Sequence, residues 1–181
     1  MSKKILVVTG SSRSGGNSDL LAEAFIKGVQ NAGNTVTRYD AGHKFIRPCI
    51  ACDSCYRNGS PCPFDEHFNE LAPMLAEADT IVFATPLYWY TFPASIKAVI
   101  DKLYAFMVGE KEISIKSAAL IVCGEIADKV VFEGIIKSYE LILEDRGWKD
   151  EGQLIVPGVR DKGDVLETAY IKAAEIMGRT I

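Results

Sequence analysis

Short runs of β-type pattern alternate along the chain with segments whose apolar residues recur every three or four positions. Lys3 to Thr9 carries the apolar run Ile5-Leu6-Val7-Val8, a strand with no polar face and so one covered on both sides. Thr80–Thr85 (TIVFAT), ended by Pro86, and Ser117–Cys123 (SAALIVC) read the same way. Thr35–Tyr39 and Gln153–Val156 complete the predicted strands. Between them, Leu20, Leu21, Ala24, Phe25 and Val29 predict a helix over Asn17–Asn31 with Gly33 as its stop. Further helices are predicted from about Asp65 to Ala78, with Pro73 expected to delay or kink it, and over Pro93–Phe106, Val130–Arg146 and Asp164–Met177. Asp65-Glu66 favours the start of the second of these through the helix dipole. Residues 40–64 fit neither period, and a loop that long in a compact domain is usually functional.

Alternation of this kind predicts a three-layer α/β sandwich, a parallel sheet covered by helices on both faces. With 181 residues and no linker-like tract, one domain over 1–181 is expected. A net charge of −4 with scattered basic residues gives no footprint for nucleic acid. The apolar runs are strand-sized, too short for the roughly 20 residues of a membrane span, and Met1-Ser2-Lys3-Lys4 opens no signal-peptide pattern, so a cytoplasmic location is expected.

Candidate chemistry gathers where strands hand over to helices, since doubly wound sheets bind ligands outside the carboxyl ends of their strands. Gly10–Ser18 (GSSRSGGNS) offers hydroxyls of Ser11, Ser12, Ser14 and Ser18, the Asn17 amide, the Arg13 guanidinium and the free N–H groups of a helix start, which are the donors a phosphate needs. The stretch lacks the Gly-Lys-Ser/Thr ending of a P-loop and the G-x-G-x-x-G of a dinucleotide fingerprint. A polar turn before a helix capped by Asn17 or Ser18 would look similar. After the third strand, Pro86-Leu87-Tyr88-Trp89-Tyr90-Thr91-Phe92-Pro93 places four aromatic side chains in one short connection, too many for all to be core. Their faces suit a planar hydrogen-bonding ring such as isoalloxazine, or a subunit interface. Cys123-Gly124-Glu125 after the fourth strand is placed to supply main-chain contacts to the far edge of such a ring.

These segments, together with P-C-I-A-C-D-S-C at Pro48–Cys55, A-T-P-L-Y-W-Y at Ala84–Tyr90 and P-A-S-I-K-A-V-I-D-K-L at Pro93–Leu103, resemble the flavodoxin-like NADPH-dependent FMN reductases, and among them the iron–sulfur flavoproteins. The resemblance implies strand order 2-1-3-4-5, FMN as cofactor and NAD(P)H as co-substrate. By position it implies a phosphate held by Ser11, Arg13, Ser14, Asn17 and Ser18, and a ring lined by Pro86, Leu87, Tyr88, Trp89 and Tyr90 with Cys123 and Gly124 opposite. It also suggests a homodimer or homotetramer that passes electrons to a small-molecule acceptor.

Four of the five cysteines, Cys49, Cys52, Cys55 and Cys62, lie at C-x2-C-x2-C-x6-C spacing, which favours metal or redox chemistry over a disulfide scaffold. Thiolates so spaced suit a [4Fe–4S] cluster, as in iron–sulfur flavoproteins, or zinc; Cys52 with Cys55 suits a redox pair, and small cysteines also simply pack in turn-rich loops. His43 and His67 flank this loop with no partner suggesting catalysis. No triad or carboxylate pair emerges, as expected where a cofactor carries the chemistry. An electron carrier built on the cluster is the rival to the NAD(P)H-dependent enzyme, and a flavin-sensing or assembly module is a third class.

Overall fold

The computed structural model describes residues 2–181. In chain order the elements are β1 (Lys4–Thr9), α1 (Asn17–Asn31), β2 (Thr35–Asp40), α2 (Glu66–Glu77), β3 (Thr80–Pro86), α3 (Ala94–Lys102), α4 (Tyr104–Val108), β4 (Ser117–Cys123), α5 (Glu133–Arg146), β5 (Lys149–Val156) and α6 (Tyr170–Thr180). The strands form one parallel sheet in the order β2-β1-β3-β4-β5, the expected arrangement. Alternate residues of the central strands feed two separate cores. Leu6, Val8, Ile81, Phe83, Leu120 and Val122 pack under α2, α3 and α5. Ile5, Val7, Val82, Ala84, Ala119 and Ile121 pack under α1 and α6. This two-sided burial is why the strands read as unbroken apolar runs.

Helices α1 and α6 meet backbone to backbone. A Cβ on Gly28 would stand 2.0 Å from the Glu175 carbonyl oxygen, and one on Gly178 would stand 2.1 Å from that of Phe25. No side chain larger than hydrogen fits at either crossing. The closing helix is thereby seated on α1, whose first turn borders the candidate ligand edge.

Several predicted boundaries shift. Pro73 lies inside α2 without ending it, because Leu71, Ala72 and Leu75 around it are anchored in the core. The segment 93–106 breaks at Leu103 into α3 and α4. The helices predicted from Val130 and Asp164 begin as 3-10 turns, Lys129–Phe132 and Asp164–Glu167, before α5 and α6 proper. Strand β5 starts at Lys149, because Glu151-Gly152 oppose the single residue Ala119 in a bulge that lets the polar half of the strand pair with β4. Among the described residues no helix is long and apolar enough to cross a membrane.

Candidate functional site

The loop Gly10–Gly16 turns out of β1 at the carboxyl edge of the sheet, and its own polar groups fix its shape. Ser11 Oγ accepts from Arg13 N at 3.0 Å, and Gly16 N donates to Arg13 O at 3.0 Å. Neither Asn17 nor Ser18 caps α1: the cap position is Gly16, with no side-chain bond, and Asp19 reaches back instead to accept from Gly15 N at 2.6 Å. Asn17 faces the loop after β5. Its amide donates to Asp161 O at 2.9 Å, and its oxygen accepts from Gly163 N and Val165 N, both at 3.2 Å. This stitch brings the Lys162 side chain against Gly15. The buried Ser18 hydroxyl meets the Cys123 thiol, whose pKa burial pushes up to about 12. Ser12 and Ser14 remain turned outward, and Ser14 Oγ is 3.5 Å from His43 Nε2.

A second charged layer lies beneath this loop. Arg38 of β2 forms ion pairs with Asp19 and with Asp40, the latter at 2.7 Å, and Thr9 Oγ1 donates to Asp40 at 2.7 Å. Burial alone would raise the Asp40 carboxyl, but Thr9 and Arg38 outweigh it and hold the group below its ordinary value.

After β3, Tyr88 and Thr91 exchange both backbone hydrogen bonds at 3.1 Å, closing a two-residue hairpin with Trp89 and Tyr90 at its tip. Both tip residues are left-handed, at φ 46° and 67°, a conformation such turns normally reserve for Asn and Gly. Tyr88, Trp89 and Tyr90 are exposed, Trp89 at 91%, whereas Phe92 is buried edge-on to Phe83. So three of the four aromatics are outside the core. The hairpin lies over α5, where a Cβ on Gly134 would stand 2.5 Å from Tyr90 O. Leu87 N donates to Cys123 O at 2.7 Å, and Gly124 exchanges bonds with Val156 and Val159, so the loops after β3, β4 and β5 are tied into one rim.

The cysteine segment follows β2 on the same edge. Cys49, Cys52, Cys55 and Cys62 all line one cavity of about 420 Å³, whose other walls include Phe45, Ile50, Phe64 and Tyr104. At its base lies Lys102, 4% exposed. Its ammonium contacts Asp65 at 2.9 Å, donates to Cys62 Sγ at 3.3 Å and sits 5.2 Å from the Phe68 ring centre. Asn69 pins Cys62 by both main-chain groups, accepting from its N at 2.7 Å and donating to its O at 2.8 Å. Burial raises the Cys55 thiol, and negative charge on Cys62, Cys49 and Cys52 raises it further. Hydrogen bonds from Ser54 lower the exposed Cys52 thiol.

Among the described residues, no three His, Cys, Asp or Glu side chains converge on a single metal ion. The four cysteines share the lining of that one cavity. Sequence reasoning missed Asp19, Arg38 and Lys102, and read Asp65 only as a helix-start residue, which it is, capping α2 through Phe68 N. Lys102 had a legible signal: it continues the core-facing stripe of Ile96 and Val99.

A polar loop, an aromatic hairpin and a main-chain rim share the carboxyl edge of a 2-1-3-4-5 sheet, and that strand order is flavodoxin-like. Residues 3–130 match the model of the NADPH-dependent FMN reductase family, and the chain belongs to that family. It is 27% identical over 172 residues to a Bacillus subtilis protein named as an NAD(P)H-dependent FMN-containing oxidoreductase, covering 90% of this chain and 89% of that one. It is 29% identical to an iron–sulfur flavoprotein of Methanosarcina thermophila over 67% of this chain and 63% of that protein, so the match leaves over a third of that relative unaligned. An NAD(P)H:quinone oxidoreductase from Methanothermobacter marburgensis shares the fold, with TM-score 0.76 and 23% identity over 99% of this chain and 96% of that one.

Proposed function

We propose that the protein takes hydride from NAD(P)H onto FMN and passes the electrons to a small oxidised acceptor, a flavin, a quinone or a similar ring. The observation that carries this reading is the placing of the Gly10–Ser18 loop and the Tyr88–Thr91 hairpin on one edge of the sheet, one suited to a phosphate and the other to a planar ring. Bound FMN would supply hydride-accepting chemistry at N5. The chain's own residues bind and orient it. Ser11, Arg13, Ser14, Asn17 and Ser18 build the phosphate end. Ser12 and Ser14 offer outward hydroxyls, Arg13 a cation, and Ser11 and Asn17 hold the loop's shape. Pro86, Leu87, Tyr88, Trp89 and Tyr90 wall the ring, with Cys123 and Gly124 contributing main chain, since the Cys123 thiol is turned into the core. The wall shields the ring from water on one face.

FMN, not FAD, is expected to co-purify, since the site edge offers a phosphate loop and no dinucleotide fingerprint for an adenosine half. Mass analysis of the released cofactor checks this, and FAD or no flavin after reconstitution would refute it.

A second reading is favoured by the shared cavity of the four cysteines. Those residues fit a [4Fe–4S] cluster: four thiols around one apolar volume, with a buried cation at its base. Cys49, Cys52, Cys55 and Cys62 would hold it, and it would supply one-electron transfer to the flavin. Protein purified and reconstituted without oxygen is then expected to contain about four irons per chain and to lose them in Cys52→Ser. Iron-free protein that still oxidises NAD(P)H would leave the simple reductase.

A further inference from the structure

The flavin phosphate and the first turn of α1 pose an electrostatic problem that the chain solves below its binding loop. Asp19 is the third residue of α1, and its carboxylate accepts from Gly15 N at 2.6 Å, within the loop that would receive the phosphate. An acid there organises the turn, as a capping residue does. It also puts a negative charge beside an incoming dianion. Asp40, at the end of β2 and paired in register with Thr9, adds a second. Glu23, one turn further along α1, is a third at the margin.

Facing all of them is Arg38. Its guanidinium contacts Asp19 and Asp40, and lies 4.0 Å from Glu23. Both close partners are half-buried or better, so solvent screens these charges less than it would on an open surface. Among the described residues, Arg38 makes its side-chain hydrogen bonds to Asp19 and Asp40 and none to the loop's main chain or hydroxyls.

We propose that Arg38 is a positioning residue for the flavin phosphate. Its single positive charge offsets one of the two carboxylates it contacts, Asp19 and Asp40, so that Asp19 can brace the loop through Gly15 with less repulsion of the ligand. The proposal rests on the FMN reading above. It separates two roles of the same carboxylate, a hydrogen-bond acceptor that the loop needs and a charge that the ligand does not tolerate.

The distinguishing probe is the phosphate itself, compared by titrating the apoprotein with FMN and with riboflavin, which lacks it. Arg38→Met is expected to weaken FMN binding about tenfold, the size of an uncompensated charge a few ångströms from a phosphate at partly screened dielectric. Riboflavin affinity should change less than about twofold. Asp19→Asn keeps an acceptor for Gly15 N and removes the charge. Added to Arg38→Met, it should recover FMN affinity to within about threefold of the parent, a coupling that independent sites would not show.

Equal losses for FMN and riboflavin would mean that Arg38 only supports the fold, and would overturn the proposal. FMN loss without rescue by Asp19→Asn would also overturn it, because Arg38 would then act on the phosphate directly. Unchanged FMN affinity in Arg38→Met would do so as well. Should Arg38→Met fail to fold, Asp19→Asn alone still tests the idea. With one acid fewer for Arg38 to offset, FMN should bind as tightly as in the parent or tighter, and weaker binding would refute it. Failure of the parent protein to bind FMN would instead refute the cofactor reading, and is distinguishable at the first titration.

Discussion

Lys102→Met is expected to cost about 3–5 kcal/mol of stability, the range found when one partner of a buried ion pair is removed. The side chains of Lys102 and Asp65 are only 4% and 2% exposed, so water cannot replace the lost partner. Methionine fills most of the same volume, which keeps cavity formation from accounting for the loss. What it leaves is a buried carboxylate whose Oδ2 still accepts from Arg47 N at 2.8 Å and whose Oδ1 caps α2 through Phe68 N at 3.2 Å. Adding Asp65→Asn removes the stranded charge while keeping the cap acceptor, so the double variant should be more stable than Lys102→Met alone. Urea unfolding of the set measures both. A loss under about 1 kcal/mol in Lys102→Met would show the pair to be worth no more than a surface contact.

The pair matters beyond stability because it joins the cysteine segment to the sheet. Arg47, Cys62 and the start of α2 all hang on Asp65 or Lys102, so the thiols of residues 49–62 are arranged by a charge buried on α3. A loop with three non-glycine residues in left-handed conformations, Ala51, Asp53 and Tyr56, needs such an anchor.

How far the sequence disclosed this arrangement depended on the range of the interactions. Strands β1, β3 and β4 were legible because both their faces are buried, and hydropathy alone records that. The bulged half of β5 was not, since Lys149, Asp150 and Glu151 enter the sheet through pairing with β4 and not through burial. The Gly10–Ser18 loop was legible as a polar, glycine-bearing turn between strand and helix. The direction of Asn17 was not, because its partners lie more than 140 residues away at Asp161, Gly163 and Val165. Arg38 looked like any polar residue of an alternating edge strand, and only the parallel register of β1 with β2 sets its strand beside the loop. The aromatic run was visible by composition, but the left-handed turn that holds it outward was not, since Trp and Tyr rank poorly for that conformation.

That turn yields a prediction in which stability and function move in opposite directions. Exchanging Trp89-Tyr90 for Asn-Gly supplies the pair such a hairpin prefers, while leaving the Tyr88–Thr91 bonds in place. Each non-glycine residue at positive φ costs on the order of 1–3 kcal/mol, so relief at both positions should raise stability by about 2 kcal/mol or more. The loss of apolar contact opposes this little, because Trp89 is almost wholly in solvent. Urea unfolding of the flavin-free protein isolates that gain. The same exchange removes two aromatic faces from the proposed ring wall, and FMN should bind about tenfold more weakly, the loss of roughly one stacking contact. NAD(P)H oxidation should fall with it. If the hairpin also joins subunits, as an exposed aromatic tip suggests, the mass by light scattering should drop from dimer or tetramer toward monomer. A variant that gains stability and keeps both its flavin affinity and its mass would show the strain to have no counterpart in binding. A variant that gains none would show that the surrounding rim, and not the residue type, dictates the turn.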